Sequence, residues 1–206
     1  MSTDEAPEPA PGSAQDQALD PPQDQAPDWA HSFGGVAEAY ERGRPTYPPE
    51  AVTWLLGEHP QSVLELGAGT GKLTRVVTGL GHDVHATDPD AEMLRILERE
   101  VPGVPTAQAG AEDIPLGDGS VDAVIVGQAF HWFDLEVALP EIARVLRPGG
   151  RICVDNVLWS GAVADPSDQS ADTNAIRALN ERVHGDDRVT AVTLPIADGM
   201  TIARVR

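Results

Sequence analysis

The chain has 206 residues, enough for one domain with a sizeable core. Its formal net charge of −19 sets up a field that repels nucleic acid and anionic membrane surfaces. A single cysteine, Cys153, rules out an intrachain disulfide and a cysteine-pair zinc site; with no basic, apolar leader and no bilayer-length apolar run, a cytoplasmic protein is expected.

Residues 1–28 hold seven acidic residues, no basic ones and many prolines. They lack the apolar surface to offset ordering entropy, so a disordered acidic tail is expected there, followed by one domain over 29–206. Val36–Arg42 and Glu50–Leu56 read as helices, with Pro48 and Pro49 suited to the first turn of the second. Strands and helices then alternate. Ser62–Leu66 is a short buried strand, Lys72–Gly79 a helix, Asp83–Thr87 a strand, and Ala91–Glu100 a helix capped by Asp90. Pro105–Ala109 is a weak strand, and Val121–Val126 is apolar enough to be buried on both faces. Leu135–Leu146 carries a helical apolar stripe interrupted by Pro140, which either kinks the helix or marks its start. Arg147 to Gly150 ends it, and Arg151–Val157 is the fifth strand. Thr173–Val183 is a helix with Asp172 as its candidate cap. Val189–Pro195 and Thr201–Val205 form a terminal hairpin around Asp198-Gly199. This order predicts an α/β fold: a seven-stranded, mainly parallel sheet with helices on both faces and a C-terminal antiparallel hairpin. Ligands of such sheets sit at the carboxyl ends of the strands, where the strand order switches.

The sharpest local signal is Glu65-Leu66-Gly67-Ala68-Gly69-Thr70-Gly71-Lys72, a strand running through glycines into a helix. The spacing separates possible ligands. A dinucleotide loop favours glycine at the sixth position, which here is Lys72. A Walker loop needs Ser or Thr after the lysine, and here Leu73 follows. Glu65, two positions before the first glycine, suits a cationic group better than a pyrophosphate. S-adenosylmethionine (SAM), with its α-amino group and sulfonium, fits. Asp88 ends the second strand, 17 residues after Gly71, where a carboxylate accepts ribose hydroxyls. Ala111-Glu112-Asp113 follows the third strand, a place where an adenine amino group is read.

Together these segments resemble class I SAM-dependent methyltransferases. Glu65 to Gly71 is similar to that family's first motif, Ala86-Thr87-Asp88 to its ribose-binding strand end, and Gly110 to Leu116 to its adenine segment. Val121-Asp122-Ala123-Val124, then Gln128-Ala129-Phe130-His131-Trp132-Phe133, then Arg144 to Gly150 resemble the small-molecule "type 11" branch. So do Phe33 to Tyr40 and Arg44-Pro45, which look like its lid. The resemblance covers about residues 29–150 and implies a Rossmann-like sheet that uses SAM as cofactor. It also implies that Glu65, Gly67, Ala68 and Gly69 hold the methionine part, Asp88 the ribose, and Ala111 and Glu112 the adenine. Gln128 would lie beside the methionine moiety, with Tyr40 and Arg44 closing over the cofactor.

Residues 149–206 resemble a different class I group, the cation-dependent O-methyltransferases of the catechol and caffeoyl-CoA type. The residues are Gly150 to Trp159, Val163 to Pro166, Leu179-Asn180-Glu181 and Leu194 to Gly199. In that group the pair corresponding to Asp155-Asn156 ligates a divalent cation such as magnesium, which favours oxygen ligands. Its further carboxylate closes the fourth strand, where this chain has Gly127 followed by Gln128. The chain thus reads as a join of two branches near Pro148–Arg151.

Methyl transfer from a sulfonium is an in-line displacement in which alignment supplies most of the acceleration. A base is needed only where the acceptor loses a proton in the step, and His131 is the candidate for it. The alternative is a loop histidine packed beside Trp132 and Phe133, two residues placed either in an acceptor pocket or in the core. The expected activity is SAM-dependent methyl transfer to a small molecule, possible at oxygen. A nicotinamide-dependent oxidoreductase and a SAM binder without turnover are the alternatives.

Overall fold

The structure is a computed structural model that describes residues 46–206. The acidic tail, the helix expected over Val36–Arg42, Tyr40 and Arg44 lie outside the described residues. Among the described residues, five α-helices and seven strands follow in chain order: α1 Pro49–Leu56, β1 Ser62–Leu66, α2 Lys72–Gly79, β2 Asp83–Asp88, α3 Ala91–Glu100, β3 Thr106–Gln108 and β4 Val121–Val126. Then come α4 Leu135–Val145, β5 Leu146–Asp155, α5 Ala171–Gly185, β6 Val189–Leu194 and β7 Met200–Val205. Among the described residues, no helix is long and apolar enough to cross a membrane.

The strands form one sheet in the order β3-β2-β1-β4-β5-β7-β6. Strands β1 to β5 pair in parallel. The terminal hairpin closes the edge, with β7 antiparallel to both β5 and β6. The expected Rossmann-like sheet is therefore what the chain adopts. The order reverses between β1 and β4, so the loops after these two strands open a crevice at their carboxyl ends.

Two-residue alternation sorts the strand side chains onto two faces. Val63, Val84, Ala123, Ile125 and Cys153 pack under α1 and α2, while Ala86 packs under α3. Leu64, Leu66, Val124, Val126, Ile152 and Val154 face α4 and α5. β4 is thus buried on both faces, as its unbroken apolar run required. Side chains from both resembling segments share one cluster: Leu64, Leu66 and Val124 from the first, Ile176, Leu179, Val183 and Ala203 from the second.

Local capping explains the helix starts. Asp90 accepts hydrogen bonds from the Glu92 and Met93 N–H groups at the head of α3. Asp134 does the same for Glu136 at the head of α4. α4 begins at Leu135 and runs through Pro140, so the proline does not mark its start. At α5 the cap is Ser170, whose hydroxyl accepts from Thr173 N–H; Asp172 lies inside the first turn, where a carboxylate favours the helix dipole instead.

The fifth strand also starts earlier than the sequence pattern suggests. β5 follows α4 without a break and carries a bulge: Leu146 pairs with Val121, but the next pair is Arg151 with Ala123. Glycine is needed there. Gly149 has φ 78°, and a Cβ on Gly150 would lie 2.8 Å from the Arg147 carbonyl oxygen.

Candidate functional site

The glycine loop is tied to the neighbouring strand at two points. Ala68 N–H donates to the Thr87 carbonyl (2.9 Å), and Gly69 N–H donates to Asp88 Oδ2 (2.8 Å). The other Asp88 oxygen accepts from Asp90 N–H at 2.8 Å, so this buried carboxylate fixes both the loop and the start of α3. The three glycines have different reasons. A Cβ at Gly67 would lie 2.4 Å from the Ala129 Cβ, because the β1 and β4 loops touch there. At Gly71 it would lie 2.8 Å from Leu97, against α3. A Cβ at Gly69 would meet nothing within 4 Å, so that position opens onto free space.

Two cavities flank this loop, and Gly67 lines both. The first, about 320 Å³, is lined by Glu65, Gly67, Ala68, Gly69, Gln128 and Asp155, with Lys72 and Tyr47 also on its walls. The second, about 440 Å³, is lined by Pro89, Gln108, Gly110, Ala111, Glu112, Trp132 and Phe133 beside Gly67. The residues assigned to the methionine part thus gather on one side of the loop, and Ala111 and Glu112 on the other.

Glu65 is the penultimate residue of β1, with its side chain buried on the face covered by α2. Thr74, in the first turn of that helix, donates to Glu65 Oε2 at 2.7 Å. Burial pushes the Glu65 carboxyl up to about 8; the Thr74 bond opposes the shift and the nearby Asp88 charge adds to it. A buried carboxyl held this way takes up a cationic ligand group well, because the ligand charge offsets the cost of ionising it. Gln128 sits in the left-handed region (φ 59°), a backbone state that costs a non-glycine residue of order 1–3 kcal/mol and clusters at ligand sites. Glu112 has a second role beyond lining: its Oε1 accepts from Asp134 N–H (2.8 Å), tying the third-strand loop to the head of α4.

His131 is placed apart from both linings. Its ring packs between Trp132 (centroids 4.5 Å) and Trp159 (4.8 Å). Trp132 and Phe133 line the cavity of Ala111 and Glu112, away from the side that holds Gln128 and Asp155.

The cation that the second resemblance implies does not fit these residues. Asp155 lines the first cavity, but Asn156 does not; the Asn156 backbone, at φ 68°, donates to the Gly199 carbonyl (2.9 Å) and to Asp155 Oδ1 (2.8 Å). Burial raises the Asp155 carboxyl, and Asp198 adds to the shift, while the Asn156 N–H and the Tyr47 hydroxyl oppose it. Among the described residues, no group of three or more His, Cys, Asp or Glu is gathered to hold a metal ion.

Sequence reasoning missed Tyr47, Thr74, Gln108 and the hairpin-side wall of Ile196, Ala197 and Met200. Tyr47 closely follows the Arg44-Pro45 lid signature, which is the signal that points to it.

The glycine loop thus lies at the switch point of the strand order, with a cavity on either side of it. Residues 64–154 match a methyltransferase domain family, and residues 139–206 match an O-methyltransferase family. The matches overlap over α4 and β5, where the join of two branches is expected. An uncharacterized methyltransferase of Mycobacterium tuberculosis is 53% identical over 133 residues, which is 65% of this chain and 54% of the relative. One from Schizosaccharomyces pombe is 45% identical over 126 residues, covering 59% of this chain and 49% of the relative. The malonyl-[acyl-carrier protein] O-methyltransferase of Methylococcus capsulatus is 39% identical over 133 residues, with 59% and 48% covered. The chain spans about half the length of these relatives.

Solved structures agree on the fold. An O-methyltransferase of Bacillus cereus, solved with S-adenosylhomocysteine (SAH), superposes with a TM-score of 0.68 at 18% identity, covering 84% of this chain and 88% of that one. A Streptomyces achromogenes O-methyltransferase, solved with SAM, gives 0.63 at 20%, covering 87% and 90%.

Proposed function

We propose that the chain binds SAM across the glycine loop and transfers its methyl group to a small-molecule acceptor, with oxygen as the favoured acceptor atom. The observation that carries the reading is the pair of cavities meeting at Gly67, one holding the buried acid Glu65 and the other Ala111 and Glu112. Bound SAM supplies a methyl group already activated on a sulfonium. The residues then have the work of holding and aligning. Glu65 takes the α-amino group, the Gly67–Gly69 backbone lies against the methionine part, and Gln128 contacts it from the β4 loop. Asp88 holds the loop and accepts ribose hydroxyls, since each carboxylate oxygen accepts more than one bond. Ala111 and Glu112 flank the adenine, with Trp132 and Phe133 beside them.

The acceptor enters from the wall made by Tyr47, Asp155 and Met200. The type of family matched over residues 139–206 supports oxygen. The matched segments give the nicotinamide alternative no support. Net charge and a single cysteine favour the cytoplasm and a small neutral partner over nucleic acid.

Calorimetry with SAM and SAH tests the cofactor, using the intact chain and Gly69→Asp. That substitution projects a carboxylate into the open space beside the loop. Saturable binding by the intact chain, lost in the folded variant, is the expected result. A folded intact chain that binds neither compound overturns the reading.

A further inference from the structure

The place where the related cation-dependent chemistry keeps a further carboxylate is filled in this chain. A side chain started at Gly127 would put its Cβ 2.6 Å from the Tyr47 hydroxyl oxygen, 3.3 Å from Tyr47 Cζ and 3.4 Å from Leu73 Cδ2. The same Tyr47 hydroxyl donates a hydrogen bond to the Asp155 carboxylate. Both residues line the cavity that holds Glu65 and Gln128. Gly127 is therefore more than a ligand lost by drift: its missing side chain is the room that Tyr47 occupies.

We propose that Tyr47 stands in for the divalent cation, as a positioning residue that holds Asp155 and lets this end of the cavity work without metal. The inference rests on the methyl-transfer reading above. Magnesium needs near-octahedral oxygen coordination, supplied by carboxylates and water. Here Asp155 is the one carboxylate left of that ligand set, and the Asn156 N–H (2.8 Å) and the Tyr47 phenol already use lone pairs on it. Hydrogen bonds are directional, so the Asn156 and Tyr47 donors together orient the Asp155 side chain. Asp155 lines its cavity together with Ala51, Ile196, Ala197 and Met200. That combination takes a neutral acceptor presenting one hydroxyl beside an apolar surface, held by Asp155 directly. A vicinal diol chelating a cation is not required.

Manganese binding, read by electron paramagnetic resonance on the intact chain and on variants, is the test. SAH calorimetry with and without EDTA runs alongside it. The intact chain, Tyr47→Phe and Gly127→Asp are expected to show no stoichiometric manganese, and EDTA should change SAH affinity by less than about twofold. Gly127→Asp combined with Tyr47→Ala supplies both the carboxylate and the room for it, and is expected to gain one manganese site. Stoichiometric manganese on the intact chain that disappears in Asp155→Asn overturns the proposal. So does a folded double variant that gains no site. SAH binding is scored separately: its loss defeats the methyltransferase reading and leaves the manganese result to stand by itself.

Discussion

The segment from β1 to α4 and the segment from β5 onward solve the same problem differently. In the first, each site carboxylate is held by a partner close in sequence: Glu65 by Thr74 and Asp88 by Gly69. In the second, Asp155 has a local partner in the Asn156 N–H (2.8 Å) and a distant one in Tyr47, more than a hundred positions earlier. The glycine-loop side of the cleft is thus built locally, by a strand, a glycine turn and a helix. The side that holds Asp155 draws on distant segments, among them Tyr47, Ile196 and Met200.

The largest effect is expected where the two segments share a core. Leu179 is fully buried in the cluster that also holds Leu64, Leu66 and Val124. Leu179→Ala should lower stability by about 2–5 kcal/mol, and calorimetry should show one transition moving as a whole. Two transitions, of which only one moves, would show that the segments fold as separate units.

A pH dependence sharpens the contrast on the Glu65 side. The Glu65 carboxyl rises from an ordinary 4.5 to about 8 in the folded protein. Its contribution to the stability of the ligand-free fold is fully present below 4.5 and is lost as pH rises through about 8. A cationic ligand reverses the preference, so binding at neutral pH should release a proton. Calorimetry in buffers of different ionisation enthalpy measures that release, and Glu65→Gln should abolish it. Equal binding enthalpies in all buffers for the intact chain would remove Glu65 from the ligand's charge.

The smallest effect separates two neighbours at the head of α5. Ser170→Ala removes a cap and should cost about 0.5–2 kcal/mol in urea unfolding. Asp172→Ala, in the first turn, should cost about 0.3–1 kcal/mol at low salt and less at high salt. A reversed order would return Asp172 to the capping position that the sequence suggested.

The sequence by itself determined the spans of β1, α2, α3 and β4, the Asp90 cap and the glycine loop. These depend on periodicity, turn chemistry and hydrogen bonds over a few residues, all written in the local order of side chains. Only the tertiary structure decided that Gly127 makes room for Tyr47, that His131 packs between Trp132 and Trp159, and that Trp132 and Phe133 line the Glu112 side. The bulge that starts β5 at Leu146 belongs with them, since it depends on pairing with β4. Each of these contacts joins segments whose proximity depends on how the sheet is ordered and covered, and no local pattern of residues encodes that.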